Sequence, residues 1–139
     1  MSDYSIAVLG GGSVGLCLAA HFAEAGARVA LLVRSGQVTQ LEGKPIEVSG
    51  LLGDRTIPAG QILIRDAAQP GEDVLRSDML VATTKAYDLR AALAPFGGDV
   101  RPGALLLLQN GMGSAEIARD AMGRDVPIYS SAMMSHDDR

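Results

Sequence analysis

Gly10, Gly11, Gly12, Ser13, Val14 and Gly15 have the types and spacing of a phosphate-binding turn. Gly10, Gly12 and Gly15 stand at the G-x-G-x-x-G interval. The first glycine lets a strand turn tightly into a helix. The second lets backbone approach a pyrophosphate, and the third lets the helix pack close to the strands. Backbone N–H groups at the positive dipole end of that helix then face the phosphate oxygens. In a chain with 17 glycines the spacing alone says little. Its context carries the reading: an apolar run from Tyr4 to Leu9 precedes it and an alanine-rich helical pattern follows at once. A second strand pattern, Val29 to Val33, comes within about 30 residues. The alternative is a strand–turn–helix that binds nothing.

A second chemical position ends that next strand. An NAD site places Asp or Glu here to bind the ribose 2′-hydroxyl. This chain has Arg34, followed by Ser35-Gly36-Gln37. A guanidinium pairs well with the extra 2′-phosphate of NADP and cannot lose its charge. Ser35 and Gln37 can add hydrogen bonds. The residues therefore favour NADP over NAD, against the alternative of a solvated strand-end arginine. Lys85 and Asn110 also follow strand patterns. Taken locally, Lys85 is a solvated cation and Asn110-Gly111 a common turn dipeptide.

Other chemistry is weakly supported. Cys17 and His21 lie one helical turn apart, as a nucleophile and base would, but no third group orients them. They read as a small helix residue beside a surface histidine. His136 reads as surface, and Asp137-Asp138 as a solvated pair, since no other ligand type clusters with them. No metal site is expected.

The elements that must position these groups alternate. A helix is expected from Ser13 to Ala25, with Val14, Leu18, Phe22 and Ala25 on its buried side and Gly26 at its end. Strand two runs from Arg28 to Val33. Residues 45–65 carry Ile46, Val48, Ile57, Ile62 and Ile64 among turn residues, which predicts a small antiparallel insertion. Residues 66–77 form a loop with at most one helical turn. Asp78 to Thr84 is a buried parallel strand, Ala86 to Pro95 a helix, and Ala104 to Leu108 another strand. Ser114 is the expected N-cap of a helix from Ala115 to Met122, and Pro127 to Met134 the last strand. The fold class is α/β: a Rossmann-type doubly wound, mostly parallel sheet with a small antiparallel insertion. Gly10 to Gly15, Arg34, Lys85 and Asn110 all fall at carboxyl ends of strands, where such sheets bind ligands.

The chain has 139 residues, the size of one domain. Its formal net charge of -4 gives no general attraction to nucleic acid or anionic membrane. One cysteine excludes an internal disulfide and fits a reducing cytoplasm. Residues 4–20 are uncharged, but Asp3 precedes them and three glycines interrupt them, so neither a signal sequence nor a membrane span is expected.

With these residues placed, the chain resembles the ketopantoate reductase (2-dehydropantoate 2-reductase) family. The matching pieces are Ile6 to Gly15, Val33-Arg34, Thr84-Lys85-Ala86-Tyr87 and Gln109-Asn110-Gly111-Met112-Gly113. A strand-end lysine followed by Q-N-G-x-G is far more specific than the glycine motif. The resemblance covers essentially the whole chain but only the amino-terminal half of the family's proteins. It implies NADPH-dependent reduction of a 2-keto acid, 2-dehydropantoate, to a 2-hydroxy acid in pantothenate synthesis. It also implies that Gly10 to Gly15 bind the pyrophosphate, Arg34 the 2′-phosphate and Lys85 the length of the cofactor. Asn110 would stand near the nicotinamide ribose and the substrate. Asp88 departs from the family's pattern, and an acid pointing inward there would oppose a 2′-phosphate.

The family's helical carboxyl-terminal domain supplies the catalytic lysine and is expected to be absent from a chain that stops at Arg139. No catalytic residue is therefore expected within it, and cofactor binding with little turnover is. Met133 and Met134 would be uncovered and would promote self-association. The competing readings are a reductase of another 2-keto acid and a non-enzymatic NADP(H)-binding module.

Overall fold

Four runs of almost unbroken apolar residues build the centre of the protein. They are β1 (Ser5–Leu9), β2 (Arg28–Val33), β6 (Met79–Ala82) and β7 (Leu105–Leu107). Such runs suit strands covered on both faces, and Ala7, Val8, Leu31, Leu32, Leu80, Val81 and Ala82 are all buried. The computed structural model describes residues 4–49, 54–84, 88–108, 113–123 and 125–130. The other elements are α1 (Ser13–Glu24), α2 (Ser35–Leu41), β3 (Ile46–Val48), β4 (Arg55–Ile57) and β5 (Ile62–Asp66). They continue with α3 (Glu72–Leu75), α4 (Leu89–Leu93), a 3-10 turn (Ala94–Phe96), α5 (Ser114–Met122) and β8 (Ile128–Ser130).

Six strands form one sheet in the order β5-β2-β1-β6-β7-β8, every pair parallel. Counted in chain order within that sheet, this is the 3-2-1-4-5-6 arrangement of dinucleotide-binding domains. Alternate strand residues feed two apolar layers. Ala7, Leu9, Leu80, Leu105 and Leu107 pack with Leu89, Leu93, Phe96, Ala118 and Met122 from α4, the 3-10 turn and α5. Ile6, Val8, Val29, Leu31 and Val81 pack on the other face with Ala19, Ala20 and Ala23 of α1 and with Ile46 and Ile57. The expected α/β doubly wound fold is the fold observed.

Several local expectations change. β3 and β4 do form a separate antiparallel pair. β5, however, is no part of that insertion: it runs parallel to β2 as an edge of the main sheet. Ile62 and Ile64 are buried while Leu63 is exposed. An edge strand covered on one face alternates just as a hairpin strand does, and this disguised it.

The buried face of α1 is also different. It consists of Gly15, Ala19, Ala20 and Ala23, while Val14 is exposed and Leu18 and Phe22 are half-buried at the side. Small residues bring the helix axis nearer the sheet than a stripe of large ones would. Gly26 ends the helix with φ +100°, as expected.

The N-cap of α5 shifts, and two other expected elements are described only in part. Gly113 takes the N-cap position of α5, and Ser114 is its first residue, buried. The helix expected from Ala86 is defined from Leu89 to Leu93 and tightens to 3-10 geometry at Pro95. β8 is defined over Ile128–Ser130, while the expected continuation to Met134, with Met133, His136, Asp137 and Asp138, lies outside the described residues.

Candidate functional site

Connections leave β1 toward β2 on one side, and leave β6 toward β7 on the other. The loops after β1 and β6 therefore diverge, and a crevice opens between them at the carboxyl edge of the sheet. The loop after β1 is Gly10 to Gly12, followed directly by α1.

Each glycine meets a different surrounding. Gly10 has φ +123°, and a Cβ there would collide with the Thr83 hydroxyl. Its N–H donates to the Leu32 carbonyl of β2 at 2.9 Å. A Cβ at Gly15 would collide with the Gly10 carbonyl oxygen, so only glycine lets α1 approach this closely. A Cβ at Gly11 would meet Val33 Cγ1 at 2.8 Å and both polar atoms of the Gln37 carboxamide. At Gly12 a Cβ would meet nothing within 4 Å. The bare Gly12 backbone thus borders open space, as a loop approached closely by a ligand requires.

Among the described residues the amino end of α1 has no capping partner. The first intrahelical bond is donated by the Leu16 N–H to the Gly12 carbonyl at 3.0 Å. The N–H groups before it have no acceptor within the helix. The N-cap residue Gly12 offers no side-chain cap, and the first turn holds no acidic residue. Ser13 and Val14 are exposed beside it. An anion would satisfy both the free donors and the helix dipole.

Arg34 follows β2 directly and is exposed. Its carbonyl accepts from the N–H groups of Gln37 at 2.8 Å and Val38 at 3.2 Å, which opens α2. The ion pairs among the described residues join Arg55 to Glu24, Arg65 to Asp73, Arg76 to Glu72 and Arg90 to Asp120. None involves Arg34, so no carboxylate among those residues competes for its guanidinium.

Thr83 was not singled out by the sequence, although it holds the loop together. Its hydroxyl donates to the Leu9 carbonyl at 2.8 Å, and its N–H donates to the same oxygen at 3.0 Å. It links the ends of β1 and β6 and borders both Gly10 and Gly15. Nothing in the sequence distinguishes it from Thr84.

Lys85 and Asn110 lie outside the described residues; the strands that precede them, β6 and β7, end at the same edge as β1 and β2. Asp88 is described, half-buried, at the start of α4 with no side-chain cap bond. Cys17 and His21 are both half-buried on α1. Among the described residues no group of three or more His, Cys, Asp or Glu side chains could hold a metal ion. No described helix is long and apolar enough to cross a membrane.

The chain is 34% identical over 119 residues to the 2-dehydropantoate 2-reductase of Vibrio cholerae serotype O1. That alignment covers 85% of this chain and 36% of the relative, so the chain spans about a third of that protein's length. Among solved structures, a PanE/ApbA family ketopantoate reductase from Ralstonia eutropha JMP134 superposes with a TM-score of 0.71 at 19% identity. The superposition covers 91% of this chain and 39% of that one. A D-mandelate dehydrogenase solved with NADH and anilino(oxo)acetate gives 0.70 at 20% identity, with the same coverage. At these identities the structures establish the fold. The family described as "Ketopantoate reductase PanE/ApbA" matches residues 6–136. A match running nearly from end to end decides the matter, and the chain belongs to the ketopantoate reductase family.

Proposed function

We propose that this chain is the NADPH-binding Rossmann domain, residues 1–139, of an enzyme that reduces 2-dehydropantoate to pantoate in pantothenate biosynthesis. The observation that carries the cofactor reading is the pairing of an α1 terminus beside open Gly12 with an exposed Arg34 one strand away, neither of which has a side-chain partner among the described residues. The N–H groups at Gly10 to Gly15 would hold the pyrophosphate, and Arg34 the 2′-phosphate. Lys85 would run along the cofactor, and Asn110 would stand near the nicotinamide ribose and the keto acid; both roles rest on the family motif. The cofactor, when bound, supplies the hydride.

The chain's own residues bind and orient. None of them is assigned to protonate the developing alkoxide, a task that falls to a further helical domain. The chain alone would therefore bind cofactor with little turnover, in a cytoplasmic setting consistent with its single cysteine.

A second reading follows from a relative of the same fold. The D-mandelate dehydrogenase was solved with NADH, so the fold by itself does not choose the cofactor. The choice rests on Arg34, with Asp88 as the residue that would oppose a 2′-phosphate. The test is a titration of the chain with NADPH and NADH at fixed salt, repeated with Arg34→Ala. A preference for NADPH that disappears in the variant supports the reading. Equal binding of both cofactors by the parent moves the assignment to NAD or to unselective use. Substantial 2-dehydropantoate reduction by the chain alone contradicts the division of labour.

A further inference from the structure

Gly11 occupies the one position of the glycine run to which the motif assigns no task. The structure gives it a neighbour. A Cβ there would meet Gln37 Oε1 at 2.9 Å, Gln37 Nε2 at 3.0 Å and Val33 Cγ1 at 2.8 Å. Contacts that short force something to move. Val33 is buried in β2 and stiff at χ1, so Gln37 is the side chain that would leave. The absence of a side chain at Gly11 is what lets the carboxamide lie against the loop.

Gln37 is also fixed from behind, because its N–H donates to the Arg34 carbonyl at 2.8 Å. It is half-buried, and its amide makes no hydrogen bond among the described residues. One oxygen and two N–H groups thus stand ready between the glycine loop and the base of Arg34. A dinucleotide whose pyrophosphate rests on α1 and whose 2′-phosphate reaches Arg34 would pass its adenosine ribose beside this amide. A carboxamide suits that place. It can accept from a ribose hydroxyl and donate to a phosphate oxygen, and it carries no charge to repel the phosphate.

We propose that Gln37 is a specificity-determining residue for the ribose end of the dinucleotide, and that Gly11 is a glycine in order to seat it. The inference rests on the cofactor reading above. It makes Gly11 and Gln37 one unit rather than two independent contributors.

A double-mutant cycle tests this, with NADPH and NADH titrated against the parent chain, Gln37→Ala, Gly11→Ala and the double variant. Circular dichroism checks that each variant folds. Loss of the amide is expected to weaken NADPH binding roughly three- to tenfold, the range of one net hydrogen bond. Gly11→Ala should weaken it at least as much, and the double variant should be no weaker than Gly11→Ala alone. Gln37→Glu keeps the side chain's size but sets a charge beside the 2′-phosphate. It should lower NADPH affinity about tenfold or more while NADH binding is retained.

Multiplying effects in the cycle overturn the proposal, as does unchanged binding in Gln37→Ala or an unchanged cofactor ratio in Gln37→Glu. Should Gly11→Ala fail to fold, the two Gln37 variants decide. The cofactor reading fails separately: an Arg34→Ala variant with the parental NADPH-to-NADH ratio removes the role of Arg34 but leaves the cycle interpretable. A parent chain that binds neither dinucleotide overturns both.

Discussion

Alanine at Gly15 and alanine at Gly12 should have opposite consequences, though the two lie three residues apart in one motif. At Gly15 two effects compete. Alanine is favoured over glycine inside a helix by about 1 kcal/mol. Against that, its Cβ would overlap the Gly10 carbonyl oxygen, a backbone atom that cannot swing aside. Gly10 is held by its bond to Leu32, and Leu9 before it by two bonds from Thr83. Relief therefore requires α1 to lift from the sheet. Lifting opens a gap beneath Ala19, Ala20 and Ala23, all now buried, and a gap of even ~0.5–1 Å forfeits a quarter to a half of each contact.

Overpacking of this kind costs ~1–3 kcal/mol, and a backbone collision belongs at the upper end. The net expectation for Gly15→Ala is a loss of about 2 kcal/mol, or a fall in Tm of roughly 5–10 °C for a domain of this size. At Gly12 the backbone is extended, with φ -77° and ψ -175°, and the Cβ meets nothing. The lost glycine cap and the stiffer unfolded chain roughly offset, leaving stability within about 0.5 kcal/mol of the parent. Its Cβ should instead project into the cofactor's space and weaken NADPH binding. Urea unfolding and NADPH titration of both variants make the comparison. A Gly15→Ala protein as stable as the parent, or more so, would refute the reasoning, because propensity would then have outweighed packing.

Thr83→Val keeps the side chain's shape but removes the hydroxyl's bond to Leu9, whose carbonyl retains the Thr83 N–H. Urea midpoints should report a loss of about 1 kcal/mol. Asp73 has its carboxyl held below the usual carboxylate range, chiefly by hydrogen bonds from Arg65 and further by that guanidinium's charge. The stability contributed by this pair is present above the ordinary pKa of 3.8 and is lost as pH falls below it through the folded value. The pair is exposed, so the effect is small: Arg65→Ala should narrow the stability difference between pH 7 and pH 3, measured by thermal unfolding, without abolishing it.

The layout of the sheet was legible because β1, β2, β6 and β7 are apolar throughout and are separated by helical or turn-rich stretches. The glycine run announced its turn because backbone requirements leave a mark at the position that has them. What stayed hidden was tertiary in origin. β5 looked like a hairpin strand because exposure of one face imposes the same alternation on either kind. The buried stripe of α1 was misplaced because periodicity weights large residues, whereas a helix packed at close range buries its small ones. Thr83 meets Leu9 across 74 positions of sequence, and no local pattern encodes such a contact. At the candidate site, the placement of Gly10 to Gly15 and Arg34 at strand ends could be read from residue type and spacing. The seating of Gln37 on Gly11 could not, since neither residue has a local reason to meet the other.

The placement of β1 between β2 and β6 also bears on how the chain emerges during synthesis. β1 gains its first neighbour early, but its second flank is closed only when β6 appears, with Ser5 meeting Asp78 across 73 positions. From Arg34 to Met79 the ribosome adds 46 residues. At ~5–20 residues per second, that leaves a nearly uncharged apolar strand with an open edge for roughly 2–9 s. Over that interval a nascent chain offers other nascent chains a ready template for strand pairing. Slowing translation between β2 and β6 should therefore lower soluble yield more than the same delay placed after β6.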